Sequence, residues 1–360
     1  MLASGGISFD NAPVKHREMP HGQFTAFSEQ SADKLGLDCA APPSASSHAR
    51  HLLRPPAQDP HILVHNGLYH YCESSPHGIF VRTARHFLDL GTAESRRVWA
   101  PPPQGPVSKN IWAPELHQVE GKFYIYFAAD NGVNANHRMW VLTATSEDPA
   151  GSYQLAGSLD TVGWAIDGTV LTDMFGNHTF VWSGWPGQNN GRQNLYLSRM
   201  KSPLELTGPR VLLTQPEQPW ECRGMPICEG PQILQRGTRT FIVYSASGSW
   251  TQDYCLGLLV HDGGDLLDPA AWRKIGPVFQ KNAHACGVGH CCFVTSPDGL
   301  EDWVIYHAKT SRKRGWSDRE VRAQAFTWDE QGTPVFGSPL PCYDQADGPL
   351  ANAALKAQSA

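Results

Sequence analysis

One layout recurs five times along the chain: an apolar strand, a glycine-containing turn and a second strand rich in aromatic residues. The segments are DPHILVHNGLYHYCES from Asp59, APELHQVEGKFYIYFAA from Ala113, DGTVLTDMFGNHTFVWSG from Asp167, EGPQILQRGTRTFIVYSAS from Glu229 and HCCFVTSPDGLEDWVIYHA from His290. Their starts are 54, 54, 62 and 61 residues apart. A unit of that length holds about four strands, which is the size of a propeller blade, and blades stand around a central channel. Further short β-rich runs such as MWVLTATS, NLYLSRM and CLGLLVHD fill the intervals, and no extended helical periodicity interrupts them. The expected fold is all-β, a five-bladed β-propeller over residues 51–345. An N-terminal arm with little regular structure, residues 1–50, precedes it, and a C-terminal tail, residues 346–360, follows.

Composition agrees with a turn-rich globular chain: 41% of residues are hydrophobic and 18% charged, with 34 Gly and 28 Pro among 360 residues. A net charge of -5 supplies neither the basic face of a nucleic-acid binder nor a polybasic patch for lipid headgroups. No apolar run approaches the ~20 residues that span a bilayer. The N-terminal MLASGGISFDNAPVKHREMP lacks a charged start followed by an apolar segment, so the expected location is cytoplasmic, or secreted if a leader has been removed. The nine cysteines run from Cys39 to Cys342 without the regular spacing of a disulfide framework. Cys286, Cys291 and Cys292 flank His290, yet no CxxC pair accompanies them, and adjacent residues of a strand point to opposite faces. They are expected as reduced core thiols. The sequence says nothing about oligomeric state.

Radial repetition carries the functional argument, because equivalent positions of each blade meet at the axis. Asp59, Ala113, Asp167, Glu229 and His290 are expected at one phase of the repeat, so three carboxylates from distant sequence converge on one funnel. Like charges gathered in a concave site cannot all ionise freely, and burial raises carboxylate pKa values further. One acid then stays protonated near neutral pH while another stays ionised, which is the division that glycoside hydrolysis requires. Trp112, Trp164, Trp182, Trp185 and Trp250 lie near the opening strands or their flanking turns, where a sugar ring could pack, with ordinary blade packing as the other use of these rings. Glu115 and Glu221 are the nearest competing acids; the first is expected to point off the axis and the second to be structural.

At these residues the chain resembles glycoside hydrolase family 43, five-bladed propeller glycosidases acting on arabinofuranosides and xylosides. The resemblance covers roughly residues 55–340. QDPHIL resembles the family's Asp-Pro segment and implies Asp59 as general base. AIDGTVL implies Asp167 as the residue that orients the acid and tunes its pKa, and ICEGPQI implies Glu229 as general acid. IWAPELH is similar to the blade-two signature, implying that Trp112 packs on the sugar. GVGHCCF is similar to the blade-five segment, which implies His290 at the channel axis beside substrate and as ligand of a structural calcium or other cation; no cofactor is implied for the chemistry itself. REVRAQAFTWDEQGTPVFG implies Arg319 as a sugar contact in the central subsite.

The resemblance therefore implies an inverting exo-glycosidase whose partner is an oligosaccharide or arabinofuranoside. Within it, HRMWVLTATSEDP and CLGLLVHDGGDLLDPAAW are most similar to the α-L-arabinofuranosidase branch, with a β-xylosidase as the alternative. A non-catalytic carbohydrate-binding propeller would have no use for a proton donor. A propeller phosphorylase would need clustered cations beside the acid, and the single run of that kind, Arg312 to Arg314, is expected in a solvated loop.

Overall fold

Alternation of buried strands with short turns builds four separate four-stranded antiparallel sheets and one larger sheet. The computed structural model describes residues 48–54 and 56–343, so the expected C-terminal tail and most of the expected arm lie outside the described residues. The innermost strands of blades one to five are His61–His65, Lys109–Val119, Ala165–Thr172, Cys228–Arg236 and Cys286–Thr295. Each pairs with the aromatic strand that follows it, and successive innermost strands lie side by side around the ring. The five-bladed propeller expected from the repeat is what forms.

The second strand of each blade is apolar along most of its length because both faces are covered by neighbouring blades. Phe123–Asp130 and Thr240–Ala246 are buried without interruption. Five apolar clusters occupy the five seams between blades. Tyr126, Phe180 and Trp182 fill the seam of blades two and three, and Phe241, Phe279 and Tyr306 that of blades four and five. Cys291 faces the seam of blades four and five while Cys292 faces that of blades five and one, as alternation along a strand requires.

The ring is closed by the start of the described chain. Ala49–Leu53 pairs antiparallel with Arg319–Trp328 as an outer strand of blade five, and Cys342–Tyr343 lies parallel to it. Ala49 and Arg50, expected in the arm, thus belong to the propeller. Leu52 and Leu53 pack into the seam of blades five and one, so closure buries apolar surface as well as completing a sheet edge.

Four innermost strands carry a bulge near the channel mouth: between Trp112 and Glu115, Ile166 and Thr169, Glu229 and Gln232, and Gly289 and Cys291. A bulge bends a strand and re-aims its side chains, and it needs a residue of unusual backbone geometry. Asp59, Ala113, Asp167, Gly230 and His290 all have left-handed φ, between 41° and 54°. Glu229 does not share this position, although the sequence had suggested that it would. In blade four Gly230 occupies it, and Glu229 stands one residue earlier, aligned with Trp112, Ile166 and Gly289. Because side chains alternate along a strand, the acid enters the channel from a different side of the bulge than the two aspartates.

Candidate active site

The channel mouth opens into a cavity of about 1070 Å³ that Asp59, Trp112, Asp167, Glu229, His290 and Arg319 all line. The structure therefore brings together all six residues singled out from sequence, from all five blades. Trp164 and Trp250 line it too, whereas Trp182 and Trp185 are buried in the blade core. Trp112 offers one face to the cavity and stacks the other on His137 at 4.0 Å, which is itself paired with buried Asp130 at 2.9 Å. A ring backed by a buried imidazole that is itself bound to a carboxylate keeps its orientation when a ligand arrives.

The three carboxylates fall into two environments. Asp59 lies among cationic and imidazole groups of blade five: its Oδ1 is 3.2 Å from His307 Nδ1, 3.4 Å from His290 Nδ1 and 3.4 Å from an Arg319 guanidinium nitrogen. Burial by itself would raise this carboxyl, but His290, Arg319 and the His307 hydrogen bond outweigh it and hold Asp59 well below the usual carboxylate range. Burial keeps His307 down at about 4, so its neutral ring acts on Asp59 as a hydrogen-bonding partner. Arg319 is fixed in turn by Gln58 and by the carbonyl of Trp316.

Asp167 and Glu229 share the other side, at the junction of blades three and four. The Gly230 N–H donates to Asp167 Oδ2 at 3.1 Å, and the Tyr254 hydroxyl donates to Glu229 Oε1 at 2.9 Å. Burial pushes Asp167 up to about 8, and the charges of Glu229 and Asp59 add to it against the opposing effect of His290. Burial likewise pushes Glu229 up to about 7, with Asp59 adding and Tyr254 and Arg319 opposing. Two acids with raised affinity for protons thus face one that holds none.

Several members of this arrangement are absent from the sequence reading. His307 left a signal, an imidazole interrupting the apolar run WVIYHAK. Tyr254 and Gln58 left none, since a tyrosine in a loop and a glutamine before Asp-Pro are ordinary there. Glu115 also departs from expectation. It points into the axis one layer below the aspartates, where His61, His117, Thr169 and Gln232 surround it. Glu221 is structural, as expected: it binds Lys274 at 2.8 Å, Tyr244 at 2.8 Å and the backbone N–H groups of Glu217 and Gln218. From the basic run, Arg312 is tied to Gln252 while Arg314 reaches the cavity lining.

A calcium ion takes six to eight oxygen ligands, waters among them, and Asp59 is the carboxylate beside His290. Its Nδ1 faces Asp59, and the Gly230 backbone closes on the ring so tightly that a Cβ there would lie 3.1 Å from that nitrogen. Among the described residues, the grouping with metal-ligand proximity is His61, Glu115 and His117, without His290. There the Leu116 N–H donates to His61 Nδ1 at 3.2 Å, so the neutral ring carries its proton on Nε2, toward Glu115. That is the polarity of a hydrogen-bonded carboxylate, with His117 2.8 Å away, and the reverse of what a cation at Nε2 requires.

Comparison with known proteins follows the same lines. The sequence model of the family described as glycosyl hydrolases family 43 matches residues 52–334. The chain is 38% identical over 282 residues to the extracellular exo-α-(1→5)-L-arabinofuranosidase of Streptomyces chartreusis, covering 75% of this chain and 84% of that one. It is 32% identical over 348 residues to α-L-arabinofuranosidase 43 of Humicola insolens, covering 91% of this chain and 70% of the relative. The crystal structure of an α-L-arabinofuranosidase from Lactobacillus brevis superposes with a TM-score of 0.75 at 33% identity, over 82% of this chain and 96% of that one. The expected cytoplasmic location gains no support here, since the Streptomyces relative is named as extracellular. Among the described residues no helix is long and apolar enough to cross a membrane.

Proposed function

The chain belongs to glycosyl hydrolase family 43 and is a glycoside hydrolase acting on carbohydrate, and from this premise we propose that it is an inverting, exo-acting α-L-arabinofuranosidase releasing terminal L-arabinofuranose from arabinan or arabinoxylan oligosaccharides. The observation that carries the reading is the division of protons across one cavity, with Asp59 held ionised and Glu229 held at about 7. The names of the relatives favour the arabinofuranoside over the xyloside.

In this reading Glu229 gives its proton to the glycosidic oxygen as the bond to the anomeric carbon breaks. A water on the opposite face of the ring attacks that carbon and passes a proton to Asp59, so the sugar leaves with inverted configuration. Arg319 and His307 keep Asp59 anionic and aimed, Tyr254 orients the Glu229 carboxyl, and Asp167, bound to the Gly230 N–H, positions the strand that carries the acid. Trp112 and His290 line the cavity where the sugar would lie. Family 43 chemistry needs no cofactor, and no step here is routed through a cation at His290.

The test compares 4-nitrophenyl α-L-arabinofuranoside with 4-nitrophenyl β-D-xylopyranoside. A kcat/KM at least tenfold higher for the arabinofuranoside is expected. The reverse preference would make the chain a β-xylosidase, and binding of both sugars without turnover would make it a carbohydrate-binding propeller.

A further inference from the structure

Lys309 is a lysine whose side chain is wholly buried, and the mechanism leaves it unused. It ends the second strand of blade five, directly opposite Arg319 across the hairpin whose loop is residues 310–318. Its ammonium reaches back into that loop, donating to the Gly315 carbonyl at 2.6 Å and pairing with Asp318. Asp318 also accepts the backbone N–H and the hydroxyl of Ser311. Room for the stem comes from Gly287, whose φ is +56°; a Cβ there would fall 2.6 Å from Lys309 Cδ. A buried ammonium is strongly unfavourable unless fully paired, so this loop is specified in its closed geometry.

What the closed loop presents is Trp316. The ring is 53% exposed, meets Trp250 edge-on at 5.6 Å and donates its indole N–H to Ser249 at 3.1 Å. Gly315 N–H holds the Trp250 carbonyl at 2.9 Å, so the loops of blades four and five are joined at this corner. Both rings line the catalytic cavity. Trp250 follows the strand paired with that of Glu229, which places the corner on the acid's side. An acid must touch the leaving oxygen, so the leaving group lies on that side too. The cavity is also roomier than one pentose needs, since a volume of several hundred Å³ already takes a drug-sized ligand.

We infer that Trp250 and Trp316 form the subsite for the second sugar ring, the one that leaves, and that Lys309 is the positioning residue that sets it through the 310–318 loop. A sugar's apolar C–H face packs on such a ring, and the indole is oriented by its bond to Ser249. The inference rests on Glu229 being the proton donor.

The experiment compares arabinobiose with methyl α-L-arabinofuranoside, which have similar leaving alkoxides and differ in the second ring. Trp316→Ala keeps the backbone carbonyl that holds Arg319, so it should raise KM for arabinobiose about 3- to 10-fold and leave kcat/KM for the methyl glycoside within about twofold. Trp316→Phe should restore most of the loss. Lys309→Met also loosens the Trp316 carbonyl that holds Arg319, so it should lose activity on both substrates but more on arabinobiose, and combining it with Trp316→Ala should widen that ratio little, because one acts through the other. Equal losses on both substrates, no loss on either, or full additivity of the two substitutions would overturn the inference. If the wild type cleaves xylobiose and methyl β-D-xyloside instead, the proposed sugar class falls, and the same ratio measured on that pair decides the subsite.

Discussion

The Gly230 N–H donates to Asp167 Oδ2 at 3.1 Å, which ties the strand of one acid to the side chain of the other. This contact depends on the left-handed backbone of Gly230, where a Cβ would also meet His290 Nδ1 at 3.1 Å and Ser245 Oγ at 3.3 Å. Gly230→Ala should therefore cost about 1–2 kcal/mol of stability from the backbone term and lower kcat at least tenfold while the fold survives. Ala113→Gly, at the equivalent bend of blade two, should cost neither. Thermal melts and kcat for the two variants check this, and equal behaviour would mean the bend is not what aligns the acids.

Glu229→Gln keeps the shape of the acid and removes its transferable proton. A loss of ~10²–10⁴-fold in kcat is expected on arabino-oligosaccharides. Aryl arabinofuranosides, whose leaving groups need little protonation, should lose much less. Similar small losses on both classes would remove Glu229 from the role of acid.

Asp167 and Glu229 titrate as a pair, and burial, helped by the charge of Glu229, holds Asp167 up to about 8. In the fraction of molecules where Asp167 ionises first, its charge holds the proton on Glu229, so Asp167→Asn should shift the alkaline limb of the kcat/KM profile by a fraction of a pH unit downward, toward the about 7 of Glu229. A full pH–rate profile of the variant provides the check. An unmoved alkaline limb would leave Asp167 with a structural role.

The same substitution should stabilise the fold. Folded Asp167 sits at about 8, whereas an unfolded aspartate titrates near ~3.9, so the folded state binds the extra proton between those values and wild-type stability falls as pH rises through that window. Asp167→Asn abolishes the penalty, with a gain on the order of 1–3 kcal/mol above neutral pH that vanishes below about pH 4. Urea unfolding at pH 4 and at pH 8 would reveal it. A gain equal at both pH values would point to packing instead of ionisation.

Asp59 belongs to blade one and Glu229 to blade four, which are not neighbours in a ring of five. Carboxylates that leave room for water, roughly 6.5–9.5 Å apart, give inversion, and a gap of about 5–5.5 Å gives retention. Proton NMR of early hydrolysis of an α-L-arabinofuranoside should show β-arabinofuranose first, and added methanol should yield no methyl glycoside. Early α-product would make Asp59 a nucleophile.

The repeat of strand, turn and aromatic strand determined the propeller by itself, because strand alternation, turn residues and blade length are local properties that each unit restates. It also brought Asp59, Asp167 and Glu229 to one channel, since radial repetition leaves the openings of the units nowhere else to meet. Only the tertiary structure decided their phase: the bulge in blade four assigns the left-handed bend to Gly230 and moves Glu229 one residue off the ring that the spacing implied. Only closure of the ring decided their protonation. His307 and Arg319 reach Asp59 across about 250 residues of chain, with Ala49–Leu53 completing the blade that carries both. A pKa follows from which groups share a buried volume, and no periodicity records how far apart in sequence those groups began. The buried Lys309 illustrates the same limit: read along the chain it is one more cation ending a strand, and its place under the Trp316 loop exists only once Asp318, Gly315 and Gly287 have closed around it.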